Sequence, residues 1–355
     1  MKNVKIIKKR FKHIEAQTYK KLKNKFKTYS KFFISFLIIT FFIYSLTKEK
    51  KKREKIEFKY FACFCSTARK ENLYVRQLIS YYINIGFEKF IFGDNNRPKT
   101  EKLSDTMQDY INNGTVDIIN IFGSPMNQSE FFGNIYEKYK TQCARISFFD
   151  FDEYLKILPN NYTNITISIK EYLSNPIFSK CESIGINWLI YSDNNLLHYD
   201  NRTLIERFTS PNYNDIDNKF VKSIIRGNLN KKIFYPKESS HVPDKRVIIC
   251  NSMGKRLKYH DKFSVKPPLL KKAFLMHYNT KTVDEYVNKI KRGGNENAIY
   301  DINERIVRFF SHNNFTDEKL KIFEKAFKRK IKYNSSDKID INIILILYIL
   351  LCLFF

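Results

Sequence analysis

The sequence predicts an α/β domain in which a mostly parallel sheet carries helices on both faces. Three observations lead there. From Phe58 onward, short apolar runs alternate with amphipathic ones, and the connections between them are long enough for helical crossovers. Crossovers of that kind join parallel neighbours. The polar clusters Asp94-Asn95-Asn96 and Asp150-Phe151-Asp152-Glu153 each stand where an apolar run ends, and sheets of this type bind ligands beyond the carboxyl ends of their strands.

Taken in order, EFKYFACFC (57–65) is the first strand. Residues 72–86 form a helix, because Val75, Leu78, Ile79 and Tyr82 recur at helical spacing and Gly86 supplies the stop. EKFIFG (88–93) is a second strand running into Asp94, residues 101–113 a helix stopped at Gly114, and TVDIINIF (115–122) a third strand. After the loop at Gly123-Ser124-Pro125, residues 129–140 are helical, and RISFF (145–149) is a fourth strand that delivers Asp150. Beyond Tyr154 the runs 182–191, 203–208, 222–226, 245–250 and 272–278 are strand-like. Residues 282–292 form an amphipathic helix stopped by Gly293-Gly294, and 316–333 read as a basic helix.

The ends differ from the middle. Residues 2–31 carry twelve Lys and Arg against one acid, Glu15, and are followed by the uncharged run FFISFLIITFFIYSL, Phe32 to Leu46. The stronger positive flank precedes the run, which puts the N-terminus in the cytosol. As a helix the run would span about 22 Å, short for a typical bilayer but suited to a thin early-secretory one. A cleaved signal peptide is the rival reading. The chain thus divides into a basic tail (1–31), a signal-anchor (32–47), a stem (48–57), a catalytic domain (58–315), a basic helical extension (316–338) and an apolar membrane-associated tail (339–355). Seven N-x-S/T sequons, Asn113 and Asn201 among them, fit a lumenal domain of such a single-pass type II protein.

A formal charge of +27 invites a nucleic-acid partner, yet the positive charge gathers at the ends rather than in an interior stripe. Lys rises together with Asn, Ile, Phe and Tyr, as codon bias alone would produce, and a nucleic-acid partner is not expected. Six cysteines lack zinc-ligand spacing. Cys63 and Cys65, two apart in a strand, point the same way, and the five cysteines outside the tail leave one unpaired in any disulfide scheme.

In extended chain, residues i and i+2 project to one side, so Asp150 and Asp152 would face one point with Phe151 turned inward. Two hard carboxylates at a strand end suit Mn²⁺ or Mg²⁺. A cation bridging a diphosphate stabilises the charge that develops as it leaves, which is what a nucleotide-sugar donor requires. The competing chemistry is a phosphotransferase of the haloacid-dehalogenase type, with Asp150 as nucleophile. Its motif carries Thr or Val where this chain has Tyr154, and opens the domain rather than following three strands.

Seven motifs in order, between about Phe61 and Gly294, resemble those of glycosyltransferase family 92 and related family 2-like glycosyltransferases. They are Arg69-Lys70-Glu71, Tyr74-Val75-Arg76-Gln77-Leu78, Asp94-Asn95-Asn96-Arg97, Asp150-Phe151-Asp152-Glu153-Tyr154, Asn187-Trp188, Glu206-Arg207-Phe208, and His277-Tyr278 with Lys281 and Glu285. The chain departs from the pattern at Lys70 and at Gln77-Leu78, where the family has Asn and Glu-Trp. The resemblance implies a glycosyltransferase-A fold and transfer of a hexose such as galactose from a uridine diphosphate donor to a glycan or glycoprotein, with inversion. It implies donor contacts from Arg69, Glu71, Asp94, Asn95 and Lys281, with Asp94 accepting the uracil N3–H and Lys281 meeting a phosphate. Asp150 and Asp152 would hold the metal. His277, ending the apolar run 272–278, would be its third ligand, and an imidazole favours Mn²⁺ over Mg²⁺. Inversion needs one carboxylate base, assigned to Glu206. His241 would line the site. An inactive, glycan-binding relative would keep this fold but lose the metal carboxylates.

Overall fold

The computed structural model describes residues 57–122, 128–159, 167–234, 243–257, 265–293 and 301–331, with part of 20–44. Two compact units separate after Glu57. In the first, the described residues between 20 and 44 are helical, and Phe32, Phe33, Phe36 and Phe41 are exposed. Among the described residues no helix is long and apolar enough to cross a membrane. The anchor expected at 32–47 falls only partly within them, and the tail at 339–355, like His241, lies outside them.

The second unit opens with β1 (Tyr60–Ala68), α1 (Asn72–Asn84), β2 (Lys89–Asp94), α2 (Gln108–Asn112), β3 (Val116–Asn120), α3 (Gln128–Tyr139) and β4 (Cys143–Phe148). It continues with β5 (Glu153–Ile157), α4 (Ile169–Leu173), β6 (Ser183–Ile190), α5 (Leu204–Arg207), β7 (Val221–Arg226), β8 (Ile249–Asn251) and β9 (Ala273–His277). Three helices close the described chain: α6 (Val283–Arg292), α7 (Ile302–His312) and α8 (Asp317–Phe327).

The strands form one sheet in the order β3-β2-β1-β4-β7-β6-β9-β5, with β8 also paired to β6. The first four are parallel. Beyond them the sheet is mixed, since β7 runs antiparallel to β4 and β6, and β5 antiparallel to β9. The expectation of a mostly parallel sheet therefore describes only the first half. After β4 the chain makes a turn rather than a crossover helix, and β5 is carried to the far edge. Strands β1, β2 and β3 step outward in one direction while β4 lies on the other side of β1, which makes the β1/β4 boundary a topological switch point.

Helices cover both faces because alternate residues of β1 face opposite ways. Ala62 and Phe64 join Val75, Leu78, Ile79 and Tyr82 of α1, while Cys63 and Cys65 join Phe131, Phe132, Ile135 and Tyr136 of α3. Gly86 ends the α1 connection with φ +96°, a conformation that favours glycine. Disulfides join Cys63 to Cys143 and Cys181 to Cys250, leaving Cys65 free and buried. A separate apolar cluster holds α6, α7 and α8 together through Tyr286, Ile290, Ile306, Phe309, Phe310 and Phe323.

Two local expectations are corrected. Within 203–208 the chain is helical over Leu204–Arg207, not strand-like: Thr203 caps the turn and Glu206 answers it in a reciprocal capping box, which outweighs the apolar pattern. Residues 101–113 split into a 3₁₀ turn, Leu103–Thr106, and α2.

Candidate active site

The Asp-Phe-Asp segment is a turn, not an extension of β4. The Glu153 amide donates to the Asp150 carbonyl at 3.2 Å, and the Asp150 amide donates to Glu153 Oε2 at 2.8 Å. The i, i+2 argument for a shared direction therefore fails, and the two carboxylates go to different partners. Asp150 Oδ2 lies 2.6 Å from Lys222 Nζ, and its Oδ1 accepts from Gln128 at 3.2 Å. The register explains Lys222: Phe148 lies opposite Ser223, so the preceding residue of β7 stands beside the chain leaving β4. Phe151 turns inward, its ring 5.0 Å from that of Phe92.

Asp152 belongs to the other half of the sheet. Its carbonyl accepts from the Tyr278 amide at 2.9 Å, and Glu153 pairs opposite His277. This anchoring to the end of β9 brings Asp152 Oδ1 to 3.5 Å from His277 Nε2, and Oδ2 to 2.9 Å from Lys289 Nζ on α6. Lys289 also donates to the carbonyl and side chain of Asn279 at 2.8 and 2.7 Å.

Electrostatics differ on the two sides. Burial alone would raise the Asp152 carboxyl, but Lys289 and then His277 outweigh it and hold the group well below the usual range. Burial pushes His277 down, so its ring is neutral near pH 7. Burial pushes Glu153 well up, against the charge of Lys222. Lys222 is itself raised despite its burial, because Asp150 and Glu153 favour its charge.

A crevice opens on both sides of Asp150 and Asp152, at the switch point. Its larger lobe, about 570 Å³, is lined by Trp188, His277, Tyr286, Glu304, Arg305 and Arg308 besides the two aspartates. Its smaller lobe, about 250 Å³, adds Arg69, Glu71, Asn95 and Gln128. Lys289 and Arg292 line both.

Of the residues singled out in sequence, Arg69, Glu71 and Asn95 line the smaller lobe. Arg292 ties the first two together, 2.5 Å from Glu71 Oε1 and 2.7 Å from the Arg69 carbonyl. Asp94 has another task. Its two oxygens accept the amides of Asn96 and Leu103 at 2.8 and 2.9 Å, which shapes the loop that presents Asn95. Lys281 lines an adjoining cavity, and Lys289 takes the place beside Asp152. Glu206 is exposed on α5 and lines neither lobe; its carboxylate accepts from the amide and hydroxyl of Thr203, both at 2.8 Å. The proposed base is thus held in a capping box outside the crevice. Arg207 pairs instead with Glu285, at 2.6 and 3.0 Å.

Sequence reasoning missed Lys222, Lys289 and Arg292. A lysine inside the apolar run 221–225 was the available signal for the first, since a buried strand tolerates a charge only with a partner. Tyr286, Lys289 and Arg292 at i, i+3 and i+6 share a face of α6, which was the signal for the others.

For a divalent cation, Asp152 and His277 fit: one ionised carboxylate and one neutral imidazole, whose Nε2 faces the carboxylate at 3.5 Å. Asp150 lines the same crevice and is ion-paired with Lys222 at 2.6 Å. Among the described residues, Asp215, Asp217 and His312 form a group of three whose ligand atoms all lie within 4.8 Å of one another. There Nδ1 of the imidazole is hydrogen-bonded to Asp215 at 2.6 Å, which pins α7 to the loop before β7, while Nε2 lies 3.5 Å from Asp217 without a hydrogen bond.

The chain matches no family profile, and no curated protein matches it in sequence. Among solved structures it is similar to S. aureus TarS, at a TM-score of 0.32 and 13% identity, over 75% of this chain and 49% of that one. The chain thus spans about half the length of that protein. A crystal structure of TarS residues 1–349 gives the same TM-score and identity, with 80% of that chain covered. So loose a likeness assigns neither a fold family nor an activity.

Proposed function

We propose that the chain is a glycosyltransferase that moves a hexose such as galactose from a uridine diphosphate donor to a glycan or glycoprotein acceptor, with inversion. The observation that carries this reading is Asp152, held with His277 and Lys289 in a crevice at the switch point of the sheet. A leaving diphosphate needs its growing charge met in a partly enclosed site.

The smaller lobe suits the nucleotide, with Asn95 offering an amide edge for a base and Arg69 at its wall. Mn²⁺ or Mg²⁺, when bound by Asp152 and His277, supplies Lewis-acid neutralisation of the diphosphate. Lys289 and Arg292 add positive charge on the same wall, Arg292 fixed in place by Glu71. The larger lobe suits the acceptor. Its carboxylates are Asp150, Asp152 and Glu304; lysines pair with the first two, so Glu304 is the group to take the acceptor proton. The acceptor oxygen then bonds to the anomeric carbon as the bond to the diphosphate breaks. As a phosphotransferase nucleophile, Asp150 is poorly placed, its carboxylate bound by Lys222 and Gln128.

The basic tail and apolar run before the domain support a type II membrane protein with a lumenal catalytic unit. The two disulfides support the same side, since such bonds persist in oxidising compartments. The deciding experiment offers the full-length chain a panel of nucleotide sugars with Mn²⁺ and glycan acceptors, and reads acceptor-dependent release of nucleoside diphosphate. Release from one uridine donor is expected. Absence of release and of UDP binding across the panel would overturn the reading.

A further inference from the structure

A further cavity, of about 520 Å³, adjoins the crevice: Lys289 and Arg292 line both, and its wall adds Lys70, Lys281 and Lys291. Two carboxylates also reach it, and both are committed. Glu285 is taken by the Arg207 guanidinium, the Tyr74 hydroxyl and Thr282. Asp284 lies 2.6 Å from His198 Nδ1. Among the described residues, no carboxylate lies within ion-pairing distance of Lys70, Lys281 or Lys291, whereas Lys289 and Arg292 have theirs in Asp152 and Glu71.

Lys281 is the informative member. The residue is only 5% exposed, and its ammonium stands 4.3 Å from the centroid of the Tyr74 ring. An aromatic face offsets part of the cost of enclosing a cation, but not the donors that remain on the cavity side. Lys70 and Lys281 also share φ +55°, a left-handed backbone that side chains other than glycine rarely adopt. Strain of this kind persists where the surrounding structure holds a ligand clamp in place.

We infer that this cavity binds a tetrahedral oxyanion of the phosphate type, gripped by Lys281 with Lys70 and Lys291 at the rim. Ammonium groups that line one cavity with no carboxylate in ion-pairing distance are what such an anion requires. The inference rests on the transferase reading only for the source of the anion, which is either a phosphate ester on the acceptor or the diphosphate of the donor.

Calorimetric titration of the full-length chain with inorganic pyrophosphate, with and without saturating UDP and in the absence of divalent metal, tests it. Pyrophosphate should bind the wild type, and Lys281→Gln should weaken it by about tenfold or more. The pair Lys70→Gln and Lys291→Gln, both exposed, should repeat the loss should Lys281→Gln misfold. Pyrophosphate binding that survives saturating UDP assigns the anion to the acceptor. Displacement by UDP, with both affinities lowered in Lys281→Gln, assigns it to the donor. Unchanged pyrophosphate affinity in all variants overturns the site. A chain that binds pyrophosphate through Lys281 yet binds no UDP keeps the site and sinks the transferase reading.

Discussion

Lys222 holds its ammonium 2.6 Å from Asp150 Oδ2, with none of its side chain exposed. Glu153 Oε1 lies 3.7 Å away, equally buried. One ammonium thus serves two carboxyl groups, and burial resolves the excess by pushing Glu153 well up, toward its neutral form. The pair lies where the sheet changes direction, because Lys222 sits on β7, the antiparallel neighbour of β4.

Removing that cation should leave Asp150 facing a buried gap. Lys222→Met is expected to destabilise the domain by about 1–3 kcal/mol, less than for a fully buried pair, because the Asp150 side chain is 34% exposed and part of its charge can turn to water. Adding Asp150→Asn should recover a large part of the loss, because the orphan charge goes with it. Thermal and denaturant unfolding of both variants check this. A Lys222→Met protein as stable as the wild type would mean that Asp150 draws its counter-charge from elsewhere.

Asp152 should be separable from stability. Asp152→Asn keeps the volume and removes the charge, and Lys289 is 27% exposed, so the freed ammonium can turn to water. Transfer is expected to fall by about a hundredfold or more, with little change in melting temperature. Nucleoside diphosphate release, measured beside a melting curve, distinguishes this from a folding defect. Ordinary Mn²⁺-dependent turnover in the variant would take Asp152 out of the mechanism.

The sequence made the first half of the fold legible and left the site half-read, for one physical reason. Val75, Leu78, Ile79 and Tyr82 announce α1 because helical periodicity is local, and β2 and β4 lead into visible polar clusters. Asp152 meeting His277 was anticipated from two apolar runs that each end in a ligand-type residue. Lys222 and Lys289 were not, since what pairs them with Asp150 and Asp152 is the β4–β7 register and the docking of α6. Glu206 shows the converse. Its neighbour Thr203, three residues back, was the nearer partner, and a local capping box prevailed over a distant role.

The Arg207–Glu285 pair gives a signature in pH. Arg207 has no exposed side-chain surface and Glu285 only 5%. Burial alone would raise the Glu285 carboxyl, but hydrogen bonds from Arg207, Tyr74 and Thr282 lower it. A depressed folded pKa contributes stability that is fully present above the unfolded value of about 4.3 and is lost as pH falls through the folded value. Glu285→Gln should therefore start from a stability lower by about 3–5 kcal/mol and show a shallower acid slope below about pH 4. Denaturant unfolding between neutral pH and pH 3 measures both. Parallel slopes for the two proteins would remove Glu285 from the acid transition.

The last prediction separates two glutamates that a sequence motif and a cavity nominate for the same task. Glu206 belongs to the motif but spends its carboxylate on Thr203, in solvent, on a helix of four residues. Glu304 belongs to no motif, yet it lines the larger lobe with Asp150 and Asp152. A base must reach the acceptor hydroxyl within hydrogen-bond distance, and only a group on the wall of that lobe can do so. Neutralising Glu304 as Glu304→Gln should lower acceptor transfer by about a hundredfold or more while UDP affinity stays as it was. Glu206→Gln should keep transfer within about twofold and lose about 0.5–1 kcal/mol of stability through the weakened cap. Opposite results, with Glu206→Gln inactive and Glu304→Gln active, would return the base to α5 and require that helix to swing toward the crevice.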